Sequence, residues 1–171
     1  MKPKQAVAHL IFGPTAAGKS TFARALAAEA NGVRFAIDEW MHALLSADMP
    51  ESMDMAWVLT RVNRCQAQTW SVAKQILATG TDVILEPGLL RAADRATIGT
   101  TVEAAGYATR FHFVDAELSV RRERVLKRNA ERGETYSFDV TPPMFEAMEA
   151  YFERPSADEL AGRNYVRGAQ E

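Results

Sequence analysis

An α/β fold built on a parallel sheet is the architecture this sequence predicts, and three observations carry it. Short apolar runs at Val7 to Phe12, Val33 to Ile37, Asp82 to Leu85 and Thr109 to Val114 alternate with longer segments of helical periodicity. The runs stay apolar nearly throughout, as strands covered on both faces by helices must. Glycine turns punctuate the alternation at Asn31-Gly32, Gly80 and Gly106.

The chain has 171 residues, enough for one domain, with 47% hydrophobic and 25% charged residues. A net charge of -2 gives no general attraction to nucleic acid or anionic lipid, so a polynucleotide partner is disfavoured. Cys65 is alone, which excludes an internal disulfide, and no apolar run is long enough for a signal peptide or a membrane span. A cytoplasmic location and no membrane partner are therefore expected. Oligomeric state is not legible.

The first strand, Val7 to Phe12, leads into Gly13-Pro14-Thr15-Ala16-Ala17-Gly18-Lys19-Ser20, and Thr21 continues into a helix. Strand, glycine-bounded turn and helix in that order are the context of a phosphate-binding P-loop. Gly13 and Gly18 let the backbone curl so that successive N–H groups point inward, and the helix adds its positive dipole end. Lys19 is placed to reach the β- and γ-phosphates of a nucleoside triphosphate, and the Ser20 hydroxyl to ligate its magnesium ion. His9, inside the strand, reads as structural because no second ligand sits at metal spacing. Phe22, Leu26 and Ala30 mark one face of the first helix, which runs from Ser20 to Ala30.

Val33 to Ile37 delivers Asp38-Glu39-Trp40 at a carboxyl strand end, where open α/β sheets bind ligands. Asp38 is either a general base accepting the proton of an attacking hydroxyl or a helix cap, a job Glu39 can take instead. Trp40 and the methionine-rich stretch to Met55 read as a flap over an acceptor, with Trp40 as core filler the alternative. Asp54 to Thr79 forms a long helix with Arg61 and Arg64 one turn apart, facing either an acceptor or solvent.

The third strand, Asp82 to Leu85, ends in Glu86-Pro87-Gly88. A carboxylate there holds magnesium through water or orients nearby groups, or else pairs with Arg91 or Arg95. Arg91 to Ala105 is a helix from which one of those two arginines could anchor the acceptor. Thr109 to Val114 is the fourth strand, with His112 structural. From Glu117 to Arg132 the arginines at 121, 124, 128 and 132 fall on one helical stripe. Such a stripe is either a solvated face or a lid that grips the γ-phosphoryl group, and the P-loop's own lack of arginine favours the lid, spanning about 121–141. Gly133 to Ser137 forms its turn, Thr141 caps a helix from Met144 to Phe152, and Asn164 to Arg167 is a weak last strand.

The P-loop, the strand-end Ile-Asp-Glu, the Ile-Leu-Glu-Pro-Gly segment and the arginine helix resemble small P-loop kinases. The group most resembled contains chloramphenicol phosphotransferase, zeta toxins and bacterial predicted kinases or ATPases of the AAA type. The resemblance covers nearly the whole chain, residues 1–171, as a single domain. It implies a P-loop three-layer sandwich whose five-stranded parallel sheet runs in the order 2-3-1-4-5. It also implies Lys19 and Ser20 on phosphate and magnesium, Asp38 as base, Glu86 as the carboxylate of the zeta-toxin Ile-Glu-Gly setting, Arg124 stacked on adenine, and Arg128 or Arg132 on phosphate.

The expected function is an ATP-dependent kinase acting on a small-molecule hydroxyl, such as an antibiotic, a nucleotide sugar or a metabolite. Phosphate-loop residues 13–21 and Arg124 bind the nucleotide, and Trp40, Arg91 and Arg95 bind the acceptor. A zeta-like nucleotide-sugar kinase is the nearest rival, followed by an NTP-driven switch or nucleic-acid-associated ATPase, and then a nucleotide-binding regulator without catalysis. No Asn-Lys-x-Asp segment for guanine is present, and the chain is too short for the helical subdomain of an AAA machine.

Overall fold

A computed structural model of the chain describes residues 5–48, 55–133, 136, 138–161 and 166–167. The strands are β1 (Val7–Phe12), β2 (Val33–Ala36), β3 (Val83–Glu86) and β4 (Ala108–Phe113), parallel in the order β2-β3-β1-β4. The two-residue β5 (Val166–Arg167) adds to the edge, pairing parallel with β4 through His112 and Phe113. The helices are α1 (Lys19–Ala30), α2 (Ile37–Leu45), α3 (Met55–Ala78), α4 (Ala92–Ala104), α5 (Leu118–Glu131), α6 (Pro142–Tyr151) and α7 (Ala157–Ala161).

Every residue of β1 after Val7 is buried, because helices cover both faces of the sheet. Ala8, Leu10 and Phe12 point into a core shared with Ala73 and Leu77 of α3 and Val102 of α4. Ile11 points the other way, with Ala23, Phe22 and Leu26 of α1. That alternation is the period of two that a strand imposes, and it makes both faces core. A third cluster, Val125, Val140 and Phe145, lets α5 and α6 pack on each other, and Ala16 of the glycine-rich loop lies against it. Thr141 caps α6 as expected, accepting from the Met144 N–H at 3.4 Å.

Three expectations change. Ile37 is helical, so Asp38 occupies the first turn of α2 instead of a strand tip. The anticipated flap is helix through Leu45 and then one turn of 3-10 helix at Ser46–Asp48; residues 49–54 of that stretch lie outside the described residues. A short α7 occupies the polar stretch after Pro155.

His9 and His112 meet inside the sheet, Nδ1 to Nε2, at 2.9 Å. His9 lies 3.8 Å from Asp82, whose other carboxylate oxygen accepts the Val7 N–H at 2.9 Å and so fixes the start of β1. Burial, and then the charges of His9 and Arg110, hold His112 down at about 4. The unfolded chain titrates this side chain near 6.5, so between that pH and 4 the unfolded state binds more protons. Stability should therefore be complete above pH 6.5 and fall by up to about 3 kcal/mol on acidification to pH 4. Urea denaturation across that range should show the slope, and His112→Phe should flatten most of it; an unchanged slope in the variant would assign the acid sensitivity elsewhere.

Candidate active site at the carboxyl edge of the sheet

The site starts with backbone geometry. Gly13 has φ 152° and lies so close to the Val114 carbonyl oxygen that any Cβ would overlap it. Ala16 at φ 60° and Gly18 at φ 97° then turn the chain through the left-handed region. Gly18 is the N-cap of α1, no side chain caps that end, and its first turn holds no acid. The opening N–H groups of α1 thus face the cleft unclaimed by any capping side chain, which is the arrangement that binds anions.

Lys19 folds back and donates to the Pro14 carbonyl at 2.8 Å. Burial pulls its ammonium below the usual lysine range, while the carboxylates of Asp38 and Glu86 push the other way. Ser20 donates to Glu86 Oε2 at 2.9 Å. The other oxygen of Glu86 accepts Arg34 Nε at 2.6 Å, and Arg34 also makes a two-pronged pair with Glu39 at 3.0 and 2.9 Å. Arg24 reaches Glu39 from α1 at 3.3 Å. Burial raises the Glu86 carboxyl above its ordinary range against the pull of Arg34, and Arg34 holds Glu39 below it.

The register Ala36↔Glu86 sets the ends of β2 and β3 level, which brings Asp38 and Glu86 to one cleft. That cleft has a volume of about 620 Å³ and is lined by the loop, Asp38, Glu86, Arg124 and Arg128, among others. Asp38 is exposed, accepts no hydrogen bond from a described residue, and acts electrostatically on both Lys19 and Arg128. Arg124 donates to the Ala17 carbonyl at 3.4 Å, lying over the loop. Burial lowers Arg128, whose Nε is enclosed and has no hydrogen-bond partner among the described residues.

The Ser20 hydroxyl and the Glu86 carboxylate are the all-oxygen donors a hard divalent cation takes, with water completing its shell. The residues fit magnesium beside a triphosphate.

Several expected site residues are elsewhere. Pro14 is fully buried and contributes only its carbonyl. Trp40, half-buried, packs against Phe35 with ring centroids 5.8 Å apart at the margin of the core and lines no part of the cleft. Arg91 bonds Glu153 at 3.0 Å and lies over the Tyr151 ring. Arg95 is fully buried, clasped by Glu159 at 2.6 and 3.0 Å above the Phe12 ring. Both arginines tie α4 to the C-terminal helices and line no part of the cleft. Arg61 folds over Trp57 of its own helix, 3.7 Å from the ring centroid.

The arginine stripe divides. Arg121 is fully buried and joins the Thr15 carbonyl to Glu149 of α6, so it braces the loop. Arg132 sits past the end of α5 at φ 47° and pairs with Asp139, leaving Arg124 and Arg128 on the cleft. Of the lid's turn, residues 134, 135 and 137 lie outside the described residues. Asn129 secures the chain beyond that turn, bonding both the N–H and the carbonyl of Val140.

The chain matches an AAA domain, AAA_33, over residues 9–155. It belongs to that family. Among curated proteins none matches it. Solved structures that share the fold include a putative kinase from Chloroflexus aurantiacus, 20% identical over 95% of this chain and 87% of that one, with a TM-score of 0.72. Kti12 from Chaetomium thermophilum, in complex with ADP-AlF3, is 14% identical over 95% and 88%, with a TM-score of 0.69. A gluconokinase from Sinorhizobium meliloti 1021 is 16% identical over 100% and 86%, with a TM-score of 0.60. The family match reaches the AAA domain and stops short of the chloramphenicol phosphotransferase and zeta toxin group.

Sequence reasoning missed Arg34, though one cation inside the run Val33 to Ile37, just ahead of two acids, was the available signal. Arg34→Met should destabilise the fold by about 3 kcal/mol, because it strands a buried Glu86. Arg34→Met with Glu86→Gln should recover much of that loss in chemical denaturation; equal losses in both variants would mean that Arg34 acts through packing alone.

Proposed function

We propose that the protein is an ATP-dependent kinase that transfers the γ-phosphoryl group of ATP to a hydroxyl of a small molecule. The observation carrying this reading is Asp38, a carboxylate without a protein hydrogen bond among the described residues, which lines the same cleft as the glycine-rich loop, Lys19 and Arg128 and acts electrostatically on both cations. An exposed carboxylate kept out of ion pairs beside the phosphate loop is free to take a proton from an acceptor hydroxyl.

In this mechanism the α1 N–H groups and Lys19 hold the β- and γ-phosphates, and Arg124 covers the nucleotide from α5. Ser20 and Glu86 would hold magnesium, which supplies neutralisation of phosphate charge. Asp38 accepts the proton of the acceptor hydroxyl as its oxygen forms the new bond to the γ-phosphorus. The bond from that phosphorus to the β-phosphate oxygen breaks, and ADP leaves. Arg128 faces the charge that spreads over the transferring group. The placement among chloramphenicol phosphotransferase and zeta toxin relatives, and a cytoplasmic location, are part of the same proposal.

A second reading, an NTP-driven switch, draws on the fold shared with Kti12. ATP hydrolysis that a partner stimulates, with no hydroxyl compound phosphorylated, would favour it.

Asp38→Asn should lower kcat by about 10²- to 10⁴-fold while magnesium-ATP affinity, read by calorimetry, changes little. Arg128→Ala should cut kcat at least as deeply, and Lys19→Ala should weaken nucleotide binding itself. Full transfer activity in Asp38→Asn would end the proposed mechanism.

A further inference from the structure

The cleft has two chemically different walls. The glycine-rich loop and α5 contribute its cations, Lys19, Arg124, Lys127 and Arg128, with Lys127 paired at 3.9 Å to Glu131 on the rim. The opposite wall, from the ends of β2 and β3 and the first turn of α2, carries Asp38, Glu39 and Glu86 beside Ile37, Leu89 and Leu90. No lysine or arginine among the described residues lines the cleft from that second side.

The arginines of β2 and of the start of α4 are engaged elsewhere. Arg34 is spent on Glu86 and Glu39, which it neutralises with Arg24. Arg91 and Arg95 are turned to Glu153 and Glu159. What remains there is Asp38, which makes no ion pair with a described residue although Lys19 and Arg128 lie within its electrostatic reach, and the half-buried Leu90. The loop wall holds the donor's phosphates, so its cations are committed before an acceptor arrives.

We propose, on the strength of the kinase reading, that the acceptor is an uncharged or amine-bearing alcohol with an apolar carbon frame, and that the site discriminates against anionic acceptors. A carboxylate or phosphate on the acceptor would stand against Asp38 and the transferring phosphoryl group with no described lysine or arginine on that side of the cleft to pair it. An ammonium would instead be attracted by Asp38. The aliphatic part would pack on the half-buried Leu90.

The test uses the full chain with magnesium-ATP and a library of hydroxyl compounds sorted by net charge. Glucitol, glucosamine and gluconate serve as a size-matched trio, and a 5′-hydroxyl oligonucleotide as a polyanion; transfer is read by phosphorus NMR and initial rates of ADP release. Neutral or amine acceptors should exceed matched anions in kcat/KM by at least about tenfold, and Leu90→Arg should narrow that ratio. Equal or better transfer to anions, the oligonucleotide included, would overturn this inference while leaving the kinase reading intact. Tight magnesium-ATP binding without transfer to any compound would instead overturn the kinase reading, and this inference with it.

Discussion

The first turn of α1 presents backbone N–H groups that no side chain claims, and most of the site follows from keeping them so. An acid or hydroxyl at the N-cap would satisfy these donors internally, whereas Gly18 at φ 97° cannot. The loop that reaches this turn is held from several directions: Gly13 against the Val114 carbonyl, the Arg121 guanidinium on the Thr15 carbonyl, and Lys19 on that of Pro14. The anion site is thus prepared by backbone and bracing contacts before any ligand arrives, so little ordering remains for binding to do.

Around this turn the charges form two separate systems. Arg34 gathers Glu86 and Glu39, and through Ser20 links them to the start of α1, so that β2, β3, α1 and α2 meet in one chain of ion pairs. Asp38 lies beside that chain and outside it. An aspartate one residue from a guanidinium-bound glutamate escapes pairing because successive residues of a helix point about 100° apart, and only Glu39 faces Arg34. The proposed phosphoryl chemistry depends on that separation.

The arginines show how far residue type alone falls short. Arg121, Arg124, Arg128 and Arg132 lie along one helical stripe, yet they become a brace, two cleft residues and a post-helix ion pair. Helical spacing gives the direction of each side chain relative to its own axis. Which neighbour waits there depends on α6, whose Glu149 is 28 residues from Arg121. Arg91 and Arg95 were drawn away in the same manner, by Glu153 and Glu159 of the C-terminal segment.

Local order in the sequence determined the phosphate loop, the four longer strands with their helices, and Glu86 as a strand-end acid, because each rests on short-range periodicity or on backbone conformations that few residues adopt; Asp38 it placed at a strand tip instead of in the first turn of α2. The tertiary structure alone decided the partner of Glu86, the meeting of His9 with His112, and the gathering of the cleft's lysine and arginine side chains on its loop and α5 side. The first two depend on contacts between residues 52 and 103 positions apart, Arg34 with Glu86 and His9 with His112. An ion pair selects its partner by distance in space, and no spacing along the chain records that.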